Sequence, residues 1–317
     1  MFPDRVMPFH FISYLYAHNT NTNAMKKYLK TDEWNIIEDK FHADNLRMSE
    51  SIFSLGNGRF GQRGNFEEPY SSDSYQGSFV AGIPFLDKTR VAWWKNGFPY
   101  YYTRIPNAAN WSSIHLRLID EELDLAQWDV ESFNRRLDMY DGISYRDVKV
   151  TSPRGNSLQL HVEHLANMAF PDLCLISYSV TSLNYSGKLS LLPLLEANLN
   201  ERSEQTEERI WNLLDSGVAH DCAYLWTQTR REDAQVCYAM TYQFYKNHKE
   251  ASYNPIRIEK GKQTGFSLGI DMKPGDTVTL LKYVVIASSL YYERQELVEK
   301  SIHIAREAKN KGWETLT

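Results

Sequence analysis

The sequence predicts a mainly β protein of many antiparallel strands, closed by one C-terminal helix, and three observations predict it. Short segments of alternating apolar and polar residues recur along the chain, clusters of turn-forming residues separate them, and near Tyr291 the pattern changes to helical spacing. Trp34 and Ile36 alternate with polar neighbours, and Leu158, Leu160 and Val162 do so after the Pro153-Arg154-Gly155-Asn156 turn. Residues 173–180 form an apolar run between Pro171 and the turn Asn184-Tyr185-Ser186-Gly187. Residues 223–229 and 235–242 read as a strand pair joined by the charged loop Arg230-Arg231-Glu232-Asp233. Lys273-Pro274-Gly275-Asp276 is a strong turn, and 277–286 after it is a long β-branched run. Between Tyr291 and Lys311 the apolar residues Leu297, Val298, Ile302, Ala305 and Ala308 recur at helical spacing, with Gly312 as the stop.

At 317 residues, 42% hydrophobic and 24% charged, the chain has the composition of an ordinary globular protein and is long enough to bury a full core. A net charge of −5 without a basic run argues against nucleic acid as a partner. Cys174, Cys222 and Cys237 are odd in number and show no C-x-x-C spacing, which predicts reduced thiols and a cytoplasmic location. No apolar stretch is long enough for a membrane span. The first 24 residues lack the design of a signal peptide, since Asp4, Arg5 and His10 interrupt the apolar run. Met25-Lys26-Lys27-Tyr28 reads as a natural start, so the preceding stretch is expected to be an over-extended reading frame or a disordered arm.

The segment from Gly56 to Gly64 spells G-x-G-x-x-G in the wrong context for a nucleotide. A dinucleotide fingerprint needs a strand before it, a helix opening directly after it and a ribose-binding acid roughly 20 residues on. Residues 51–55 are expected to supply a strand, but Gly64 and Pro69 leave no room for the helix, and residues 75–83 hold no carboxylate. A kinase glycine loop fails as well, because no Val-Ala-Ile-Lys strand follows. What remains is a tight turn connecting two strands, built from Gly56, Asn57, Gly58, Gly61 and Gly64. It aims Arg59 and Arg63 at Glu50, Glu67 or Glu68, or at a ligand or neighbouring domain.

Three other patterns invite a chemical reading. His161-Val162-Glu163-His164 resembles a zinc motif, yet the spacing is three and the segment alternates as a strand, so the two histidines point to opposite faces. Glu67-Glu68 and Glu121-Glu122, with Asp124 nearby, offer the carboxylates a glycosidase needs, but sequence adjacency does not set their separation, and solvated surface acids are expected. Trp93, Trp94 and Trp111 lie in an aromatic-rich stretch that suits core or interface packing more than a sugar platform. No catalytic, cofactor-binding or metal-binding residue is assigned.

Several segments together resemble a known family: 50–64, Glu67-Glu68, 78–82, Asp87-Lys88-Thr89-Arg90, Trp93-Trp94-Lys95-Asn96-Gly97, Pro106-Asn107-Ala108-Ala109-Asn110-Trp111 and Arg135-Arg136-Leu137-Asp138-Met139. Their ordered series is similar to the N-terminal domain of glycoside hydrolase family 65, which includes inverting phosphorylases of maltose, trehalose and kojibiose; the tryptophan-rich segment looks most like the maltose phosphorylases. The resemblance runs from about Trp34 to the C-terminal helix. It implies a galactose-mutarotase-like β-sandwich, a helical linker and then an (α/α)6 barrel carrying the general acid and the phosphate site. In such enzymes phosphate attacks the anomeric carbon opposite the protonated leaving group, the part that water plays in an inverting hydrolase.

On that basis residues 1–30 are an extension, 31–288 the sandwich and 289–317 the linker. The chain stops just past its helix stop, which reads as a connector whose next element is missing, and no catalytic residue carries over. The implied partners are the missing barrel, an α-glucoside disaccharide in the parent enzyme and a second subunit; phosphate is a co-substrate, and no cofactor is implied. A free-standing carbohydrate-binding module is the alternative. Calorimetry with maltose and glucose separates the two, a flat response favouring a structural domain. A mutarotase-like enzyme would need a facing His and Glu, which the sequence does not place.

Overall fold

The computed structural model describes residues 28–89, 97, 99–202 and 207–317. Its first half contains strands β1 (Lys30–Thr31), β2 (Asn35–Glu38), β3 (Leu55–Gly56), β4 (Phe60–Gln62), β5 (Ser78–Val80), β6 (Phe85–Lys88), β7 (Tyr101–Arg104), β8 (Ile114–Arg117), β9 (Asp129–Asp138) and β10 (Ile143–Thr151). Then come β11 (Ser157–Ala166), β12 (Leu173–Ser182), β13 (Gly187–Glu196), β14 (Trp211–Ala219), β15 (Cys222–Thr229) and β16 (Gln235–Lys246). The last strands are β17 (Lys249–Glu250), β18 (Ile256–Lys260), β19 (Gln263–Met272) and β20 (Thr277–Ser288). A short 3-10 helix (Ala43–Asn45) and the α-helices α1 (Leu46–Ile52), α2 (Leu297–Lys311) and α3 (Trp313–Leu316) complete the described elements.

Antiparallel pairing dominates, as the turn-rich alternation predicts. The large sheet runs β1-β2-β9-β10-β11-β12-β20-β16-β15-β14, with β17 appended to β16, and a second sheet runs β18-β19-β13-β8. Between the two sheets lies the main core. Val148, Leu160, Ile176, Val180, Leu280 and Phe244 of the large sheet meet Leu116, Leu191 and Leu268 of the smaller one. Small accessory sheets, β3-β4-β5 and β6-β7, complete the set.

Burial along β20 shows how the helix completes the fold. Its first residues alternate between buried and half-buried, whereas from Lys282 to Ser288 every residue is buried. The outer face of that stretch is covered by α2, where Leu297, Ala305 and Ala308 pack on Leu173, Tyr283, Val285 and Ala287. A strand covered on both faces loses its alternation. Gly312 ends α2, its N–H donating to the carbonyls of Ala308 and Lys309.

Two sequence expectations change. Residues 51–55 are not a strand: Leu46, Ser49 and Glu50 bury one face of helix α1, and the strand begins only at Leu55. Spacing of three and four residues between buried positions, here within a single short turn, outweighs the β-branched Ile52. The C-terminal helix starts at Leu297, six residues past Tyr291, because residues 291 and 292 turn back onto the sandwich.

One charge crosses the core. Lys282 interrupts the apolar run of β20 and is fully buried, and its Nζ donates to the carbonyls of Trp111 (2.7 Å), Leu194 (2.8 Å) and Ser113 (2.9 Å). Burial pulls its pKa down to about 7. Three carbonyls match the three N–H bonds of an ammonium, so this side chain ties the large sheet to β13 and the loop before β8.

Candidate functional site

The glycine-rich segment folds as a hairpin, β3 pairing with β4 in the register Leu55↔Gln62 and Gly56↔Gly61. Asn57 makes the turn and moors it. Its Oδ1 accepts from the N–H groups of Arg59 (3.0 Å) and Phe60 (3.2 Å), while its Nδ2 donates to the carbonyls of Asn167 (2.8 Å) and Pro171 (2.9 Å). Gly58 takes φ +86°, a conformation that costs a side-chain-bearing residue roughly 1–2 kcal/mol.

At the hairpin tip, the Arg59 guanidinium lies 3.1 Å from the ring centroid of Tyr291, in the segment leading to α2. Its Nη1 is buried and has no hydrogen-bond acceptor among the described residues. Beside it opens a cavity of about 290 Å³, lined by Arg59, Phe170, Asp172, Tyr292, Ile304 and Leu316 among others. Tyr292 donates its hydroxyl to Asp172, and Asn167 donates to the carbonyl of Leu316 at 2.6 Å, so hairpin, 167–172 loop and C-terminal helices meet here. Exposed Met168, Leu290 and Tyr291 surround the junction.

At the hairpin base everything is locked. Arg63 donates to Ser51 Oγ (2.7 Å), the Arg47 carbonyl (2.7 Å) and the Tyr75 carbonyl (3.0 Å), and stands 3.5 Å from Glu50. Gly64 donates its N–H to the Glu50 carbonyl at 2.7 Å, and a Cβ there would come within 2.7 Å of the Phe53 carbonyl oxygen. The glycine is required by close approach.

Glu67 and Glu68 correct a sequence expectation: they are not solvated surface acids but are 5% and 4% exposed. Arg146 on β10 donates through Nη2 to Glu67 (2.7 Å) and to both oxygens of Glu68 (2.9 and 2.8 Å), and Tyr178 on β12 donates its hydroxyl to Glu68. Arg135 on β9 similarly holds Glu38 at 2.6 Å and the Gly64 carbonyl at 2.8 Å. His164 places Nε2 3.1 Å from Cys174 Sγ and Nδ1 3.6 Å from Glu67. Burial opposes the charge on Glu67, but Arg146 and then His164 override it and hold the carboxyl down at about 2. Burial likewise opposes the His164 cation, which the Cys174 sulfur and the Glu67 carboxylate lift to about 10. A glycosidase pair needs one protonated acid and room for a substrate between the carboxyls. Glu67 and Glu68 share one guanidinium instead, which is a structural use of charge.

The remaining residues sort plainly. His161 faces outward between Asp147 (2.7 Å) and Glu163 (3.1 Å), on the opposite face from His164, and the described residues contain no group of three metal-ligating side chains. Trp111 is fully buried, stacked on Tyr238 at 5.9 Å and edge-on to Phe60 at 5.6 Å, so it packs the core and offers no face to a sugar. Trp93 and Trp94 lie outside the described residues. Glu121 accepts from Ser152 and Asn156 (both 2.8 Å) at the 152–156 turn, and Glu122 meets His115 at 2.5 Å. All three cysteines are buried and free, and burial pushes the Cys222 and Cys237 thiols up to about 12. Arg135 and Arg146 escaped the sequence reading as site residues because a strand arginine looks solvated until its partners, more than 70 residues away, are known. Lys282 left a visible signal, a lone cation inside an apolar β run.

The sequence profile described as "Glycosyl hydrolase family 65, N-terminal domain" matches residues 36–317. The chain belongs to that family. This family 65 domain is 30% identical over 289 residues to a maltose phosphorylase of Bacillus subtilis, a match covering 91% of this chain and 38% of the relative. An α,α-trehalose phosphorylase of Thermoanaerobacter brockii is 25% identical, covering 90% and 38%. A solved structure provisionally assigned as a kojibiose phosphorylase from human microbiome superposes with a TM-score of 0.78 at 24% identity, over 91% of this chain and 37% of that one, and so shares the fold. The family 65 domain thus spans less than two fifths of the length of these relatives. Among its described residues no helix is long and apolar enough to cross a membrane.

Proposed function

We propose that this chain is the non-catalytic N-terminal sandwich and linker of a cytoplasmic disaccharide phosphorylase, of the maltose type, that cleaves an α-linked glucose disaccharide with inversion. The observation that supports it best is the match over nearly the whole chain to proteins that are themselves more than twice as long and are named phosphorylases. The site geometry agrees, since the adjacent pair Glu67 and Glu68 is locked by Arg146 in the interior. The general acid and the phosphate site belong, on this reading, to an (α/α)6 barrel beyond Thr317.

The hairpin tip is then the surface that meets the barrel. Arg59 with its unused Nη1, the neighbouring cavity, and exposed Met168, Leu290 and Tyr291 combine the Arg, Met and Tyr typical of an interface centre. Incubating the 317-residue chain with maltose and inorganic phosphate tests the reading. No glucose 1-phosphate is expected, and its phosphate-dependent release by this chain alone would overturn the proposal.

A further inference from the structure

At the hairpin base, two buried polar atoms lack partners, and their side chains line the same small cavity. Arg146, 4% exposed, uses Nη2 on Glu67 and Glu68, while its Nη1 has no acceptor among the described residues. Gln62 on β4, also 4% exposed, has an Oε1 with no donor among them. The orientation of that amide follows from its neighbours. The Ser112 N–H donates to Asn110 Oδ1 at 3.2 Å, which makes that oxygen the acceptor, and Ser112 Oγ donates to it as well at 3.0 Å. Ser112 Oγ therefore accepts from Gln62 Nε2 at 2.5 Å, and the Gln62 oxygen is the atom left over.

The cavity also touches Glu67, Ser144 and His164, and it leaves about 20 Å³ in which the centre of a water molecule can sit. One buried water needs roughly 10–15 Å³ on that measure, together with a few polar partners. We propose that this cavity is a water-binding site, in which a single water held between Arg146 Nη1 and Gln62 Oε1 fastens the hairpin to the large sheet. The water accepts from the guanidinium N–H and donates one proton to the amide oxygen. For its second proton Glu67 Oε1 is at hand: Arg146 binds the other carboxylate oxygen, and His164 Nδ1 stands 3.6 Å from Oε1, too far for a direct hydrogen bond. β4 and β10 belong to different sheets, so the bridge joins elements that no strand pairing connects.

Charge and chemistry both select water over an ion. Arg63 stands 3.5 Å from Glu50, Arg135 2.6 Å from Glu38, and His164 3.6 Å from Glu67, while Arg146 faces Glu67 and Glu68. Each cation lining the cavity thus already has a carboxylate, and an added ion of either sign would be buried without a counter-charge. The two unpartnered atoms are one donor and one acceptor. An anion could serve only Arg146 and a metal cation only Gln62, whereas water serves both.

A high-resolution crystal structure of the 317-residue chain, with and without a bromide soak, tests the site directly. Density for one oxygen is expected within about 2.7–3.2 Å of both Arg146 Nη1 and Gln62 Oε1, with no anomalous bromide signal there. A site without density, or one that takes up bromide, would overturn the proposal. In solution, oxygen-17 relaxation dispersion counts long-lived waters. Gln62→Met keeps the side-chain length but removes the strong acceptor, so its count should fall by one water relative to the native chain. Circular dichroism checks its fold, and an unchanged count in a folded variant would also sink the idea. The crystal result needs no substitution, so a variant that fails to fold leaves the test standing. Neither measurement involves sugar or phosphate, so the water site and the proposed function fail separately.

Discussion

The base and the tip of the glycine hairpin lie five residues apart in sequence and use arginine in opposite ways. At the base, Arg63 uses all three of its nitrogens on two carbonyls and a hydroxyl, and Gly64 opens onto a buried network in which Arg146 meets two carboxylates. At the tip, Arg59 lies on the Tyr291 ring beside a cavity, and its buried Nη1 has no acceptor among the described residues. Arg146 too leaves Nη1 without an acceptor among the described residues, yet its charge is matched by the carboxylates of Glu67 and Glu68, whereas the contact that Arg59 makes is with the Tyr291 ring. The base is therefore expected to govern the stability of this domain, and the tip its association.

The sharpest way to break the comparison is at the base. Arg146→Met strands Glu67 and Glu68 in the interior and should cost about 3–5 kcal/mol, measured by urea unfolding; a loss below about 1 kcal/mol would mean that the network is not what holds the base together. The same network sets the pH response. Glu67, held down at about 2 when folded against an ordinary 4.5, contributes stability that is present above pH 4.5 and lost as pH falls toward 2. His164, lifted to about 10 from 6.5, contributes stability that is present below pH 6.5 and lost as pH rises toward 10. Urea midpoints should be highest between those limits, and Arg146→Met should flatten the acid side.

Gly64→Ala is next in size. Its Cβ would press on the Phe53 backbone, and overpacking of this kind costs about 1–3 kcal/mol, read as a lower thermal midpoint. Arg59→Ala should do least to the isolated chain, less than about 1 kcal/mol for a half-exposed cation–π contact. In a protein that also carries the barrel it should loosen domain association, seen as a separate unfolding transition in calorimetry. If Arg59→Ala destabilised the isolated chain as much as Arg146→Met, the division between base and tip would be lost.

Much of the fold was legible in the sequence. Alternation at Leu158, Leu160 and Val162 and the turn at Lys273 to Asp276 marked strands that the structure contains, and Gly312 marked the helix stop. Local periodicity and turn chemistry act over a few residues, so one chain suffices to show them. Where short-range cues conflicted, they misled: residues 51–55 looked extended, and the burial of Ser49 and Glu50 decided for helix α1.

The strand-connecting turn could be read from Gly56 to Gly64 alone, because φ > 0 and close backbone approach demand those residue types whatever surrounds them. Family membership was also legible, since it rests on the order of motifs along the chain. Only the tertiary structure decided which charges are buried. Glu67 looked like any surface acid until the strand register brought Arg146 and His164 to it, and the three carbonyls that receive Lys282 come together only where β13 and the loop before β8 pack on β20. Likewise, only the packing of the C-terminal helices set Arg59 against Tyr291 and left Arg63 with internal partners. Pairing and burial depend on contacts far apart in sequence, and a single sequence does not display them.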